Sequence, residues 1–130
     1  MKLGYTIVYV PKVADSLAFF ERAFGLSRRF LADSGDYGEL ETGETTLAFA
    51  SQELGRANLP GGFVAASESG KPLGMEVGLV TPSVAEAHAK ALAAGAAELK
   101  APEAKPWGQV VSCVRCPDGT LVEICSPMGV

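Results

Sequence analysis

The sequence contains an internal repeat, and this repeat constrains the fold more than any other feature. With an offset of 71 positions (76 minus 5), Y-T-I-V-Y-V-P-K-V-A-D at residues 5–15 aligns with E-V-G-L-V-T-P-S-V-A-E at residues 76–86. With an offset of 75 (123 minus 48), T-L-A-F-A-S at residues 46–51 aligns with L-V-E-I-C-S at residues 121–126. Because half of a repeated unit cannot bury its own sheet, we expect two similar modules that fold together.

The first module is predicted to have the order β-α-β-β-β. Tyr5–Val10 is a run of β-branched and aromatic residues, which predicts a strand. A helix is predicted from Val13 to Phe24, since apolar side chains recur along one stripe and Gly25 follows as a C-cap. Turn-forming residues separate three further predicted strands: Leu26–Leu31, Tyr37–Glu41 and Thr45–Ala50.

The second module is predicted to repeat this order. A strand at Met75–Val80 precedes a helix at Val84–Ala94, which Gly95 ends. Ser83 and Glu86 have the spacing of a capping box at the start of this helix. Three further strands are predicted: Glu98–Lys100, Val110–Arg115 and Leu121–Cys125.

These elements predict one domain with two modules and a long connection between them. Module one covers about 3–51, the connecting loop about 52–74 and module two about 75–127. The loop is rich in Gly, Pro, Ser and Asn and has no hydrophobic periodicity. A connection of this length in a small domain is either a linker between modules or a lid over a site.

Composition limits the classes of function that are plausible. The 130 residues are 48% hydrophobic and carry a net charge of −4 (11 basic minus 15 acidic), which is typical of a single soluble globular domain. No basic run is present that would neutralise phosphates, so we expect no nucleic-acid partner. No apolar run approaches membrane-spanning length and no signal peptide is evident, so we expect no membrane partner and a cytoplasmic location.

The three cysteines and the single histidine do not predict a zinc site. An odd number of cysteines favours reduced thiols over a disulfide framework. Cys113 and Cys116 lie three apart in a predicted strand, where their side chains point to opposite faces, so both thiols cannot bind one metal. His88 lies on the second predicted helix, and we expect it to face solvent.

Glu123 is the most unusual residue of the last predicted strand, L-V-E-I-C. Its neighbours in sequence are apolar, and a carboxylate in such a position is costly unless it meets a cation, a proton or hydrogen-bond donors. It is therefore either functional or paired. A salt bridge with Arg115 on the neighbouring strand is the structural alternative.

Three motifs resemble those of the vicinal oxygen chelate superfamily. They are V-x-x-V-A-D-S-L-A-F-F-E-R-A-F-G-L at residues 10–26, V-x-x-S-V-A-E-A-H-A-K-A-L-A-A-G-A at residues 80–96, and C-P-D-G-T-L-V-E-I at residues 116–124. This superfamily includes glyoxalase I, extradiol dioxygenases, fosfomycin-resistance transferases and bleomycin-resistance proteins. The resemblance covers nearly the whole chain. It implies an α+β fold in which two βαβββ modules form a curved mixed β-sheet around a cavity.

The resemblance also implies positions for a metal site. Metal enzymes of the superfamily place ligands on the first and last strands of each module, and these positions correspond to Tyr5, Ala48, Glu76 and Glu123. The usual ligands are His, Gln and Glu, whereas here only two carboxylates remain. Because a Lewis-acid site needs three or four protein ligands, we expect no catalytic metal. The alternative is a divalent ion held weakly by Glu76 and Glu123.

The function predicted from this resemblance is binding of a small cationic or aromatic molecule in a cup-shaped cavity. The alternative is a lyase, isomerase or dioxygenase-related enzyme that uses the two carboxylates as metal ligands or as acid and base; no catalytic residue is assigned. If the two carboxylates share the cup, their repulsion should raise the pKa of at least one. A homodimer is expected, as is common in the superfamily. The predicted ligand-binding residues are Tyr5, Ile7, Ala48, Glu76, Trp107 and Glu123.

Three of these predicted ligand-binding residues also have structural interpretations. Tyr5 also fits a core position as an aromatic residue with a satisfied hydroxyl group. Glu76 also fits a solvated position at the start of its strand, although the repeat favours the cavity. The indole of Trp107, which follows a proline-rich turn, can stack on a planar ligand or pack at a dimer interface.

Overall fold

A computed structural model describes residues 1–128 of the chain. Its elements follow in chain order: β1 (Tyr5–Val10), α1 (Val13–Phe24), β2 (Ser27–Leu31), β3 (Tyr37–Glu41), β4 (Thr46–Ser51), α2 (Gln52–Asn58), β5 (Glu76–Val80), α3 (Val84–Ala94), β6 (Ala97–Ala104), β7 (Val110–Arg115) and β8 (Leu121–Cys125). Within the described residues, no helix is both long enough and apolar enough to cross a membrane.

The strands form two four-stranded mixed sheets with the same topology. Their orders are β1-β4-β3-β2 and β5-β8-β7-β6. The pairs β1–β4 and β5–β8 are parallel, and the other neighbours are antiparallel. The predicted α+β fold of two βαβββ modules is therefore confirmed, and in each module the first and last strands lie side by side.

The hydrophobic core lies between the helices and the sheets. Phe20 of α1 packs on Phe49 of β4 with ring centroids 5.0 Å apart, and both side chains are fully buried. Helix α1 also packs against α3, which joins the two modules. Gly25 ends α1 in the left-handed conformation (φ 69°), as its C-cap position predicts.

Several predicted features of the second module differ in the structure. Strand β6 is longer than predicted and carries two irregularities in its pairing with β7. The capping box is wrong, because the Ser83 side chain makes no capping hydrogen bond. The Ser83 N–H instead donates to the Thr81 hydroxyl oxygen at 3.2 Å, so the local turn orients this residue differently.

The prediction that His88 faces solvent is also wrong. Its side chain is buried, with Nδ1 2.9 Å from the Ser112 hydroxyl oxygen and Nε2 2.8 Å from a carboxylate oxygen of Glu98. Helix α3 packs on β6 and β7 through the face that contains Val84, His88 and Ala91. The spacing of these three residues places the imidazole on the buried side, where two hydrogen bonds satisfy it.

The segment between the modules is ordered in part as a helix and in part as a fixed loop. Ser51 caps α2 by accepting a hydrogen bond from the Leu54 N–H, a helix that the sequence analysis missed. The Arg115 guanidinium donates to the carbonyl oxygens of Ala66 and Ser69, each at 2.9 Å. These bonds fix the loop at Ala66 and Ser69 to the end of β7.

Gly119, in the turn before β8, should be one of the least replaceable residues. Its φ is 92°, and a Cβ atom there would lie 2.1 Å from the Ala66 carbonyl oxygen. We expect Gly119→Ala to lower the free energy of unfolding by about 2 to 4 kcal/mol, since backbone strain and a steric clash act together. Urea denaturation monitored by circular dichroism would measure this loss.

Gly35 provides the matched control for Gly119, because its φ is also positive (77°) but a Cβ would meet nothing within 4 Å. Gly35→Ala should cost about 1 kcal/mol from backbone strain alone. Equal losses in the two variants would contradict the close approach of Ala66 to the turn.

Candidate functional site

Two carboxylates lie on the same face of the second sheet. The parallel pairing of β5 with β8 places Glu76 beside Leu121 and Gly78 beside Glu123. Because residues two apart in a strand share a face, Glu76 and Glu123 point to the same side. The pKa of Glu76 is raised, first by partial burial and then by the charge of Glu123 and a hydrogen bond with its carboxyl group.

No basic side chain of residues 1–128 forms a salt bridge with this pair of carboxylates. The proposed structural partner of Glu123, Arg115, points elsewhere and bonds to Ala66 and Ser69. Arg115 is only a diagonal neighbour of Glu123, because Cys113 lies directly opposite it, and the guanidinium bonds to the loop carbonyl oxygens instead. The alternative of an Arg115–Glu123 salt bridge is therefore wrong.

Two thiols lie near the carboxylate pair. Burial raises the pKa of both Cys113 and Cys125, and the negative charges of Glu76 and Glu123 raise them further. The thiols are therefore held in their neutral form and are poor nucleophiles. All three cysteines are free, and Cys116 is fully buried with its pKa raised by burial, whereas Cys113 is half-buried.

The corresponding face of the first sheet has a carboxylate that is neutralised. Glu39 of β3 accepts hydrogen bonds from Arg29 at 3.1 Å and from the Tyr37 hydroxyl at 2.7 Å. Arg29 also donates to the Thr46 hydroxyl at 3.2 Å and pairs with Glu41. Burial and the bond to Glu39 raise the pKa of Tyr37 above its usual range. Sequence reasoning missed this network.

The alternation Y-G-E-L-E in β3 is the sequence feature that would have revealed the network. Tyr37, Glu39 and Glu41 lie two apart, so they share one face of the strand. Arg29 is on the neighbouring strand β2, within reach of that face. A carboxylate and a guanidinium on adjacent strands are typical of an ion pair.

The other predicted ligand-binding residues occupy different environments. Ala48 is fully buried between Ile7 and Glu39 in the register, so it presents no surface to a ligand. Tyr5 and Ile7 are exposed on β1. Trp107 is 59% exposed in the turn between β6 and β7, and its indole N–H donates to the Gln109 side chain at 2.8 Å. It does not line the cavity that contains Ile7 and Glu76.

A largely apolar cavity of about 200 Å³ lies between the edges of β1 and β5. Residues 63–73 contribute one wall, in which Phe63 packs on Tyr9 with ring centroids 4.8 Å apart. Glu76 also belongs to the wall, so the cavity and the carboxylate pair are adjacent. The side chains that line it include Ile7, Tyr9, Phe63, Leu73, Met75 and Val77.

The four positions that the superfamily resemblance assigns to a metal do not fit a transition metal here. Ala48 has no donor atom and is buried, and Tyr5 supplies only a phenol. Within residues 1–128, no three His, Cys, Asp or Glu side chains are arranged to hold a metal ion. The donor set of two carboxylates falls short of the three or four ligands that such a site needs.

Comparisons with known proteins agree with the fold. A glyoxalase-related enzyme from Fulvimarina pelagi has 20% sequence identity and a TM-score of 0.82, and the match covers 100% of this chain and 94% of that one. A glyoxalase/bleomycin resistance protein/dioxygenase family enzyme from Burkholderia phytofirmans PsJN has 18% identity, a TM-score of 0.80 and coverage of 97% and 98%. TioX from Micromonospora sp. ML1 has 19% identity, a TM-score of 0.71 and the same coverage.

The family assignment comes from the sequence. No curated protein sequence matches the chain significantly. However, the profile of the Glyoxalase/Bleomycin resistance protein/Dioxygenase superfamily matches residues 2–124, which is nearly the whole chain. The order of elements and the topology of both sheets agree with that match. The chain belongs to the Glyoxalase/Bleomycin resistance protein/Dioxygenase superfamily.

Proposed function

We propose that this protein binds a small organic cation without a catalytic metal, and that Glu76 and Glu123 receive the positive charge. The observation that carries the proposal is the position of Glu76 and Glu123 on one face of β5 and β8, where no basic side chain of residues 1–128 forms a salt bridge with them. The raised pKa of Glu76 agrees with this arrangement. Glu76 is exposed and Glu123 is half-buried. Two carboxylates on one face repel each other, and a bound cation relieves this repulsion. The ligand's positive charge thus replaces a salt bridge that the carboxylate pair lacks.

The contrast between the two modules supports this proposal. On the first sheet, Arg29 already supplies the cation for Glu39, so that face needs no charged ligand. On the second sheet, the Arg115 guanidinium bonds to carbonyl oxygens of the loop and therefore does not pair with Glu123. Of these two sheet faces, the one in the second module therefore presents the carboxylates that can bind a cationic ligand.

Apolar and aromatic surface near the carboxylates supports binding of an organic cation rather than a bare ion. Ile7 lies on the edge strand β1 and lines the same cavity as Glu76. Tyr9 and Phe63 line this cavity with Glu76, and their aromatic rings can stack on a ligand or attract its charge through their faces. An aromatic amine combines both properties.

Acid–base catalysis is a second candidate, and the raised pKa of Glu76 also favours it. A pair of carboxylates with different pKa values can supply one proton donor and one proton acceptor. The two functions require different protonation states of the pair. Cation binding is strongest when both carboxylates are ionised, whereas acid–base catalysis needs one of them protonated.

Benzylammonium provides a direct test of cation binding. Its affinity should rise with pH through the raised pKa of Glu76, because deprotonation adds a negative charge to the site. Glu123→Gln should weaken binding about tenfold and flatten the pH dependence. Isothermal titration calorimetry, over a pH range in which the ammonium stays charged, measures both effects.

Glu53→Gln is the matched control for this measurement, since Glu53 is exposed on α2 and outside the cavity. It should leave benzylammonium affinity unchanged. Affinity that is independent of pH, or equal losses in Glu123→Gln and Glu53→Gln, would refute the proposed cation site.

The titration of Glu76 itself gives a further prediction. NMR of the side-chain carboxyl carbons should give Glu76 a pKa above the usual value of about 4.3. In Glu123→Gln this pKa should fall, because a neighbouring charge is removed while burial remains. Normal titration of both carboxylates would show that they do not interact.

We further propose a homodimer, as expected from the sequence. Strands β2 and β6 are edge strands of their sheets, and the exposed apolar side chains Phe30 and Leu99 lie on them. A second copy that covers these edges would remove sites of unwanted strand pairing. Light scattering should give a mass of twice 13.5 kDa, and a monomer at micromolar concentration would contradict the proposal.

A further inference from the structure

Gly78 is the middle residue of β5, E-V-G-L-V, and a glycine inside a strand weakens it. In the register, Gly78 lies directly beside Glu123 of β8. It also comes two residues after Glu76, so a side chain at this position would point to the face that holds both carboxylates. The glycine therefore leaves a gap in the layer of side chains on that face, next to the carboxylate pair.

Neither the backbone nor the packing of the chain requires a glycine at this position. Gly78 is not among the glycines with positive φ, and the pairing of β5 with β8 runs from Glu76 to Val80 without a bulge. A Cβ atom at Gly78 would meet no heavy atom of residues 1–128 within 4 Å. Gly38 in β3 differs, because a Cβ atom there would lie 2.6 Å from the Leu17 side chain.

A glycine inside a strand without a bulge often marks a place where a ligand or another backbone comes close. No such backbone lies near Gly78 in the part of the chain that the structure describes. The position is accessible, since Gly78 and Glu76 are both exposed, and both line a cavity of about 300 Å³ along β5. The gap can therefore receive a small group from outside the chain.

We propose that the gap at Gly78 receives the cationic head of the ligand, and that this head is a primary ammonium group. The inference deepens the proposed cation binding and rests on it. An ammonium group has three N–H donors, so it can bond to Glu76 and Glu123 at the same time. A quaternary ammonium has no N–H donor and takes up more space. Gly78 is then a specificity-determining residue.

Benzylammonium and benzyltrimethylammonium test the choice of head group, because they share the ring and the charge. Isothermal titration calorimetry, at a pH where benzylammonium is charged, measures both affinities. The wild type should bind benzylammonium at least about tenfold more tightly, since hydrogen bonds to ionised carboxylates are strong. Equal affinities would overturn the assignment of a primary ammonium head.

Gly78→Ala tests the gap itself, because its methyl group would occupy the space beside Glu123. This variant should bind benzylammonium about tenfold less tightly than the wild type. It should also have a higher midpoint of urea denaturation, since alanine is favoured over glycine inside a strand. A purely structural role for this glycine predicts no loss of affinity.

Gly61→Ala is the matched control for Gly78→Ala. Gly61 also has no positive φ, and a Cβ atom there would meet nothing within 4 Å. It lies outside both cavities that contain Glu76. The substitution should therefore leave the affinity for benzylammonium unchanged.

The outcomes separate this inference from the proposed function. Unchanged affinity in Gly78→Ala, together with the expected loss in Glu123→Gln, would overturn the inference about Gly78 alone. If Gly78→Ala also turned a dimer into a monomer in light scattering, the glycine would belong to a contact between two copies. Benzylammonium that fails to bind the wild type, or binds Glu123→Gln equally well, would refute the cation site and this inference with it.

Discussion

The parallel pairing of β5 with β8 brings Glu76 and Glu123 onto one face, and the proposed function depends on that contact. The first and last strands of this module pair directly with each other, so two side chains that are far apart in sequence lie close together in the fold. Neither carboxylate has a basic partner within the described residues, and the pKa of Glu76 rises as a result of burial and its neighbour. The cavity, the loop and the turn before β8 surround this pair.

The internal repeat places equivalent residues in different chemical roles. In the first module, Ile7, Ala48 and Glu39 lie side by side on three strands; in the second, Gly78, Glu123 and Cys113 do so. The carboxylate at this level lies on the third strand of the first module but on the last strand of the second, where no guanidinium pairs with it within residues 1–128. The two modules thus share one topology but carry different charges on the corresponding faces.

Most of the fold could be predicted from the sequence because local patterns and the repeat agree. The strand Tyr5–Val10 and the helix Val13–Phe24 have the predicted bounds, since hydrophobic periodicity and the glycine C-cap both act locally. Helix α2 was missed because its sequence, Q-E-L-G-R-A-N, contains a glycine and too few apolar residues for a periodic stripe. Its cap, Ser51, was the one local indication.

The candidate site could be predicted only in part. The repeat and the superfamily resemblance identify Glu76 and Glu123, because strand position fixes which way a side chain points. The partners of charged side chains depend on tertiary register, which explains why Arg115 bonds to a loop and why Glu39 pairs with Arg29. His88 shows the same limit, since a polar residue on a helix is buried when a neighbouring strand supplies its hydrogen bonds.

The repulsion between the two carboxylates is the central claim, and a double-mutant cycle of stability tests it most directly. Because Glu76 has a raised pKa in the folded state, the wild type should lose stability as pH rises through that pKa. Near neutral pH, Glu76→Gln and Glu123→Gln should each raise the free energy of unfolding. The increase in the double variant should be smaller than the sum of the two single increases, because either substitution alone already removes the repulsion. Solvent screening limits the coupling to about 0.5 kcal/mol.

At a pH where both carboxylates are protonated, the coupling should disappear, since no charges remain to repel. Urea denaturation of the four proteins at both pH values supplies the measurement. Additive effects at neutral pH, or a loss of stability in both single variants, would contradict the account, because the two carboxylates would then act independently or take part in stabilising contacts.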